Sequence, residues 1–160
     1  MSHERLDNIA WETIRDRKRP DDPPRGIEHG GRARDLGEVE ALIRDGVSFD
    51  DAFESWLQEV YRYRQESFFA VPPSLFFAAH ERAWMAGVVE GMSRKPGIRT
   101  PSWVESSDFF LTAVYDWQRD DLGVFFPPDW ATTLDKRLEG SDPEFRRRKV
   151  IAKLRNLIRV

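Results

Sequence analysis

The side chains best suited to chemistry in this sequence are four consecutive basic residues, Arg146, Arg147, Arg148 and Lys149. Guanidinium and ammonium groups bind phosphate, so this cluster is a candidate contact for nucleic acid. On a helix, successive side chains point about 100° apart, and at most two of the three arginines would face one partner. We therefore expect Arg147 or Arg148 to pair with a carboxylate of the chain itself.

Charge is distributed unevenly along the chain, whose formal net charge is -3. Residues 143–160, the C-terminal basic segment, carry seven basic side chains and one acidic one, whereas residues 36–142 carry ten basic and nineteen acidic ones. Such a segment either contacts a partner or folds back on the acidic body of its own chain. Phosphate binding requires positive potential over the binding surface, so the acidic body favours a protein partner over nucleic acid.

Two tryptophans, Trp103 and Trp130, follow turns and are expected at a partly exposed patch. Aromatic rings beside arginines can stack on nucleic-acid bases. Trp56, Trp84 and Trp117 fall on apolar faces instead, and we expect them in the core. Trp103, Trp130 and the four basic residues are therefore the candidate binding residues.

Catalytic and metal-binding patterns are missing from the sequence. There is no cysteine, and none of the three histidines, His3, His29 and His80, has a second histidine at metal-ligand spacing. His80, Glu81 and Arg82 can in principle supply a general base and an anion clamp, but bonding to neighbours on a helix rim is the commoner use of such residues. We expect no enzyme, no metal and no cofactor; an enzyme with a novel site ranks third among the functions considered.

Length and composition fit one folded domain. The chain has 160 residues, of which 40% are hydrophobic and 33% charged, which is ample material for a core. It contains neither an apolar stretch of the roughly 18–20 residues that a membrane span needs nor a signal core at its N-terminus. The expected location is the cytoplasm.

Helical periodicity dominates the sequence and predicts an all-α fold, a single compact domain of about five to seven helices. A first helix is capped by Ser2 and ends at Pro20, and the residues that follow it, rich in proline, glycine and charge, have almost nothing to bury. We therefore divide the chain into residues 1–35, an N-terminal helix with a mobile linker over 19–34, and residues 36–160, a helical domain.

Capping residues mark the first two helices of that domain. Asp35 and Glu38 form a capping-box pattern before a short helix that stops at Gly46. Ser48 and Asp51 open a second helix, whose broad apolar stripe is expected to pack on the core.

Further along, breaks at proline and glycine delimit the remaining helices. A long helix, capped by Ser74 and ended by Pro96, is apolar around most of its circumference and is predicted to be central. Residues 109–117 suit a helix, although their Phe, Thr, Val and Tyr content also permits a strand. A helix with Trp130, Leu134 and Leu138 on one face is predicted to run to Gly140. Pro143 then begins a closing helix, expected to place three residues on the core: Ile151, Leu154 and Ile158.

Several of these stretches together resemble a known type of domain. They are "FDDAFESWLQEVY" at 49–61, "PPSLFFAAHERAWMAGVVEGMSRKPGIRTPSWV" at 72–104, the "VFFPPDW" region, and "SDPEFRRRKVIAKLRNLIRV" at 141–160. An F-D-x-A helix, a central helix followed by G-x-x-x-P-x-W, and an S-x-x-x-F-R-R-R segment are similar to those of an uncharacterised bacterial domain frequent in actinobacteria. The resemblance covers about residues 36–160.

The resemblance implies a function. Members of that group often follow a helix-turn-helix DNA-binding domain and are encoded beside a nucleotidyltransferase-like protein, as in toxin–antitoxin modules. This chain would be a stand-alone form, because only one helix and a linker precede residue 36, and it departs from the group's pattern at Lys149, Val150 and Ile151. The implied function is a non-catalytic, antitoxin-like domain that binds a protein partner, possibly such a toxin. The alternative is a nucleic-acid-binding accessory protein that uses the four basic residues.

Overall fold

A computed structural model describes residues 22–94, 98–117 and 136–153 of the chain. Helices dominate these residues: α1 spans Leu36–Arg44, α2 Phe49–Tyr63, α3 Ala79–Ser93 and α4 Pro143–Arg146. Residues 136–139 are also helical. Short 3-10 turns lie at Ile27–His29, Glu66–Phe69, Ser102–Glu105 and Ser107–Phe109, and two strands, β1 (Tyr115–Asp116) and β2 (Val150–Ile151), pair in parallel. The predicted all-α class is confirmed.

The first two helices begin where their capping residues predict. The Asp35 side chain accepts a hydrogen bond from the Glu38 N–H at 2.8 Å, and the Ser48 hydroxyl accepts one from the Asp51 N–H at 3.1 Å. Both contacts satisfy backbone donors that a helix leaves unpaired in its first turn. Gly46, with a φ of 99°, follows α1 in a conformation that favours glycine.

The apolar stripe of α2 forms the centre of the core together with α3. Its buried side chains are Phe49, Ala52, Phe53, Trp56, Leu57, Val60 and Tyr61. Against this stripe, Trp84 of α3 stacks on Trp117 with ring centroids 4.2 Å apart and planes 6° from parallel. Trp56, Trp84 and Trp117 are at most 5% exposed, so their predicted place in the core is confirmed.

Helix α3 begins four residues later than the sequence predicts, after Ala78 and not after Ser74. Ser74 does not cap it; its hydroxyl donates a hydrogen bond to the Glu40 carboxylate and accepts one from the Phe76 N–H at 3.2 Å. At the true start, the Glu81 carboxylate accepts a hydrogen bond from the Ala78 N–H at 2.9 Å. The expected central position is confirmed, since α3 is buried continuously from Ala83 to Glu90.

The contact between Ser74 and Glu40 gives a pH-dependent prediction. The hydrogen bond from Ser74 lowers the pKa of the Glu40 carboxyl, so its contribution to stability is present above the ordinary carboxyl pKa and is lost as pH falls through the lowered one. In a Ser74→Ala variant we expect the Glu40 pKa to rise towards its ordinary value, measured by carboxyl-carbon NMR titration. Ser67→Ala, at an exposed serine of another loop, should leave it unchanged.

The two segments predicted as C-terminal helices contain the strands instead. Residues 110–114 are irregular after a 3-10 turn, so the helix predicted over 109–117 is wrong, and the strand alternative holds for Tyr115–Asp116 alone. The predicted closing helix ends at Arg146, because Lys149 adopts a left-handed φ of 61° and β2 follows. Ile151 is 3% exposed, as predicted. The other expected core positions of that helix, Leu154 and Ile158, and the predicted helical positions Trp130 and Leu134 lie outside the described residues.

Residues 22–34 pack against the helical domain. Ala33 is fully buried, and its N–H donates a hydrogen bond to the Ser55 hydroxyl of α2 at 3.0 Å. The Ile27 N–H reaches the Glu38 carboxylate of α1 at 3.2 Å. Within residues 22–34 only Gly26 and Ala33 are buried, but backbone donors of the segment find acceptors on α1 and α2. The predicted mobility of residues 19–34 stays a prediction. The predicted N-terminal helix lies outside the described residues, and the division of the chain at residue 35 stays a prediction.

Helix α4 is held against α3 by an unusually close contact. Phe145 is fully buried, and its ring lies over Gly87 of α3. A Cβ atom at position 87 would come within 2.5 Å of the Phe145 Cδ1 atom, so glycine leaves the space that the ring occupies. The contact fixes α4, the first element of the C-terminal basic segment, on the surface of α3.

Candidate interaction site

Arg148 is buried completely, although it belongs to the cluster of basic residues that the sequence offers for binding. Its Nη1 donates hydrogen bonds to the Glu90 carboxylate at 2.5 Å and to the Glu144 carbonyl at 2.7 Å, and its Nη2 donates one to the Val104 carbonyl at 2.6 Å. The guanidinium carbon also lies 4.7 Å from the centre of the Phe110 ring. Arg148 therefore has no surface to offer a partner.

Arg147 also turns towards the protein's own carboxylates. Its guanidinium pairs with Glu105 and lies 3.6 Å from the Glu90 carboxylate, while its side chain keeps 39% exposure. The prediction that Arg147 or Arg148 forms an intramolecular ion pair is confirmed for both. Arg94 approaches the same Glu90 at 3.6 Å, so three guanidinium groups surround one carboxylate that is almost fully buried.

Burial shifts the pKa values of Arg148 and Glu144, in each case towards the neutral form of the group. It lowers the pKa of Arg148, while the hydrogen bond and charge of Glu90 oppose the shift. It also raises the pKa of the Glu144 carboxyl, although Arg94 lies 3.1 Å away and partly offsets the effect. Arg148 remains charged at neutral pH because an arginine pKa lies far above that range. The cluster is thus a buried ion-pair network whose charges compensate one another.

Arg146 and Lys149 face solvent without the carboxylate partners that hold the partly exposed Arg147. Arg146 donates a hydrogen bond to the Glu139 carbonyl at 3.3 Å, and Lys149 donates one to the Thr112 carbonyl at 3.1 Å. Both side chains are exposed, and neither makes an ion pair within the described residues. Contact of this cluster with an external anion therefore falls mainly to Arg146 and Lys149.

Trp103 lies half-buried beside the network. Its Nε1–H donates to the Phe69 carbonyl at 2.8 Å, and its ring packs on Phe109 with centroids 5.0 Å apart. It fixes the loop that supplies the Val104 carbonyl to Arg148, and part of its surface is open to solvent. Trp130, the other tryptophan predicted to bind, lies outside the described residues.

The sequence analysis missed an exposed apolar loop, residues 71–76, which we call the Leu75 loop. Leu75 is 85% exposed, and Val71 and Phe76 are 37% and 39% exposed. Arg44 covers one face of the Phe76 ring, with its guanidinium carbon 4.4 Å from the ring centre. Leu75 and Phe76 were assigned to the start of the central helix, after the chain break predicted at Pro72 and Pro73.

His80, one of the three residues considered for a general base and an anion clamp, packs on an aromatic ring. Its ring stacks on Tyr115 with centroids 4.1 Å apart and planes 19° from parallel. Within residues 22–94, 98–117 and 136–153, no group of three histidine or carboxylate side chains is placed to hold a metal ion. No helix in the same residues has the length and apolar character of a membrane span.

Comparison of the chain with protein-family models, with curated proteins and with solved structures finds no match. Support for a function therefore comes from the contacts, burial and charges of the described residues.

Proposed function

We propose that this chain is a cytoplasmic, non-catalytic, antitoxin-like domain that binds a protein partner, and that a nucleotidyltransferase-like toxin is that partner. The observation that carries the proposal is the Leu75 loop, where Leu75 holds most of its side chain in water next to Val71 and Phe76. Single exposed apolar residues are ordinary, but several together on one loop are typical of surfaces that bind another protein.

Charge supports a protein partner over a nucleic acid. Arg147 and Arg148 are engaged with Glu90 and Glu105, so the basic cluster keeps only part of its charge for an external anion. Residues 36–142 have a surplus of nine acidic side chains, which repels phosphate and attracts a basic protein surface.

The proposal is tested with the protein encoded by the gene next to this one. We expect it to bind the full chain in titration calorimetry, with association that slows as salt rises, because exposed charges are screened. Leu75→Ser should weaken binding about 10-fold or more, since a fully buried leucine contributes about 1.5–3 kcal/mol. Gln65→Ser, at an exposed residue of a different loop, is the matched control and should bind as the wild type does.

A Leu75→Ser variant that binds as tightly as the wild type would remove the Leu75 loop from the interface. Failure of the neighbouring gene product to bind the wild-type chain would overturn the proposed partner. Thermal melts of both variants test whether weaker binding comes from unfolding. Leu75 and Gln65 are exposed, so neither substitution should change the melting temperature.

Nucleic-acid binding is the second candidate, and the exposure of Arg146 and Lys149 is what favours it. Replacing all three arginines by alanine would confuse this test, because the loss of Arg148 is expected to destabilise the fold. The double variant Arg146→Ala/Lys149→Ala avoids the buried network. If the wild type binds a single-stranded RNA or duplex DNA probe with affinity that falls steeply with salt, and the double variant does not, this second function replaces the first.

A further inference from the structure

A polar pocket of about 500 Å³ lies where the segment before α1 crosses the C-terminal end of α2. It is separate from the Leu75 loop and from the buried network around Glu90. The charged residues of its lining are three arginines and two carboxylates, Arg25, Arg32, Arg62, Asp22 and Glu59. Its volume is within the range of about 300–1,000 Å³ that is typical of small-molecule sites, and well above what a lone inorganic ion fills.

Three arginines from two separate parts of the chain line this pocket. Arg25 and Arg32 come from the segment before α1, and Arg62 from the last turn of α2. Arg32 pairs with Glu59 at 3.4 Å, whereas Arg25 and Arg62 are exposed and make no ion pair within the described residues. Planar guanidinium groups of this kind match the oxygen geometry of phosphate and carboxylate.

The backbone of the pocket wall is fixed by glycines. The turn Ile27–His29 is flanked by Gly26 and Gly30, whose φ angles of 77° and 72° favour glycine. The Gly31 N–H then donates to the Gly26 carbonyl at 2.8 Å, and a Cβ at Gly31 would lie 2.8 Å from the Arg25 Cβ. The turn thereby holds Arg25 beside the opening of the pocket.

Glu59 restricts the kind of ligand that fits. This carboxylate is 4% exposed and has one hydrogen bond, the 3.4 Å contact with Arg32, within the described residues. A buried carboxylate repels a simple polyanion but accepts hydrogen bonds from hydroxyl or amine groups. The pocket therefore combines three arginines with two carboxylates, the exposed Asp22 and the buried Glu59, and keeps a small surplus of positive charge.

We propose that this pocket binds a small phosphorylated molecule that also carries hydroxyl or amine groups. Arg25, Arg32 and Arg62 hold its phosphate, and Glu59 accepts a hydrogen bond from the remainder of the ligand. This inference is independent of the proposed protein partner, because the Leu75 loop contributes none of the lining residues.

The test uses the full chain and ribose 5-phosphate as the probe, with inorganic phosphate and citrate for comparison. We expect calorimetry to give a Kd below about 1 mM for ribose 5-phosphate and binding about 10-fold weaker for inorganic phosphate. Arg25→Gln and Arg62→Gln should each weaken ribose 5-phosphate binding about 10-fold, the usual effect of losing one charged hydrogen bond. Both residues are exposed, so both variants should fold.

Two controls isolate the site. Arg44→Gln removes an exposed arginine that pairs with Glu40 away from the pocket, and it should bind ribose 5-phosphate as the wild type does. Glu59→Gln should weaken ribose 5-phosphate binding and strengthen the binding of inorganic phosphate, because the repelling charge is removed. The proposal is overturned if ribose 5-phosphate gives no heat above buffer dilution, if Arg25→Gln and Arg62→Gln bind it unchanged, or if citrate binds more tightly than ribose 5-phosphate.

Discussion

Arg148→Met is expected to lower the free energy of unfolding by about 3–5 kcal/mol, the usual effect of removing one partner from a buried ion pair. The substitution leaves the buried Glu90 carboxylate with only the more distant Arg94 and Arg147, both partly exposed. It also removes the hydrogen bonds to the Glu144 and Val104 carbonyls. Urea denaturation followed by tryptophan fluorescence measures the change.

Two further variants separate the buried charge from the rest of the side chain. Arg146→Met, at the exposed neighbour, should change the free energy of unfolding by less than about 0.5 kcal/mol. The double variant Arg148→Met/Glu90→Met should be more stable than Arg148→Met alone, because it no longer buries an uncompensated carboxylate. Equal losses for Arg146→Met and Arg148→Met would contradict the buried network.

Gly87→Ala is expected to destabilise the protein by about 1–3 kcal/mol through overpacking. The new Cβ would lie 2.5 Å from one atom of the buried Phe145 ring and 2.7 Å from the next, so α3 and α4 must move apart or the ring must rotate. Gly140→Ala is the matched control, since its Cβ would meet nothing closer than the Arg137 carbonyl at 3.5 Å. Thermal and urea denaturation should show a loss for the first variant only.

A double-mutant cycle tests whether Phe145 is the cause. In a Phe145→Leu background the ring atoms are gone, so the additional cost of Gly87→Ala should fall well below its cost in the wild type. If Gly87→Ala costs the same in both backgrounds, the close approach of Phe145 does not explain the requirement for glycine at this position.

The start and apolar face of α2 were predictable because their causes are local. Ser48 and Asp51 are three residues apart, and the apolar stripe repeats with the period of a helix. The start of α3 was not predictable in the same way. The Ser74 hydroxyl, which would cap a helix at that point, is bound by Glu40, a residue 34 positions earlier.

The C-terminal basic segment illustrates the same distinction. The angular spacing of its arginines was enough to predict that one of them faces the protein. It did not reveal which carboxylate would pair with that arginine, because Glu90 is 58 positions away from Arg148. The end of α4 depends on pairing of Val150–Ile151 with Tyr115–Asp116, which helical periodicity does not reveal. The pocket at Arg25, Arg32 and Arg62 likewise exists only once the segment before α1 lies on α2.

The pairing of Glu90 with Arg148 also has a consequence for folding. Until residues 143–153 have been synthesised, α3 carries a carboxylate in its buried face without the guanidinium that compensates it most closely. Contacts between residues so far apart in sequence form late, because closing a long loop costs entropy before the contact is made. We therefore expect a chain that ends before Arg148 to leave the Glu90 carboxylate without its closest guanidinium, and to pack α3 less firmly than the full chain does.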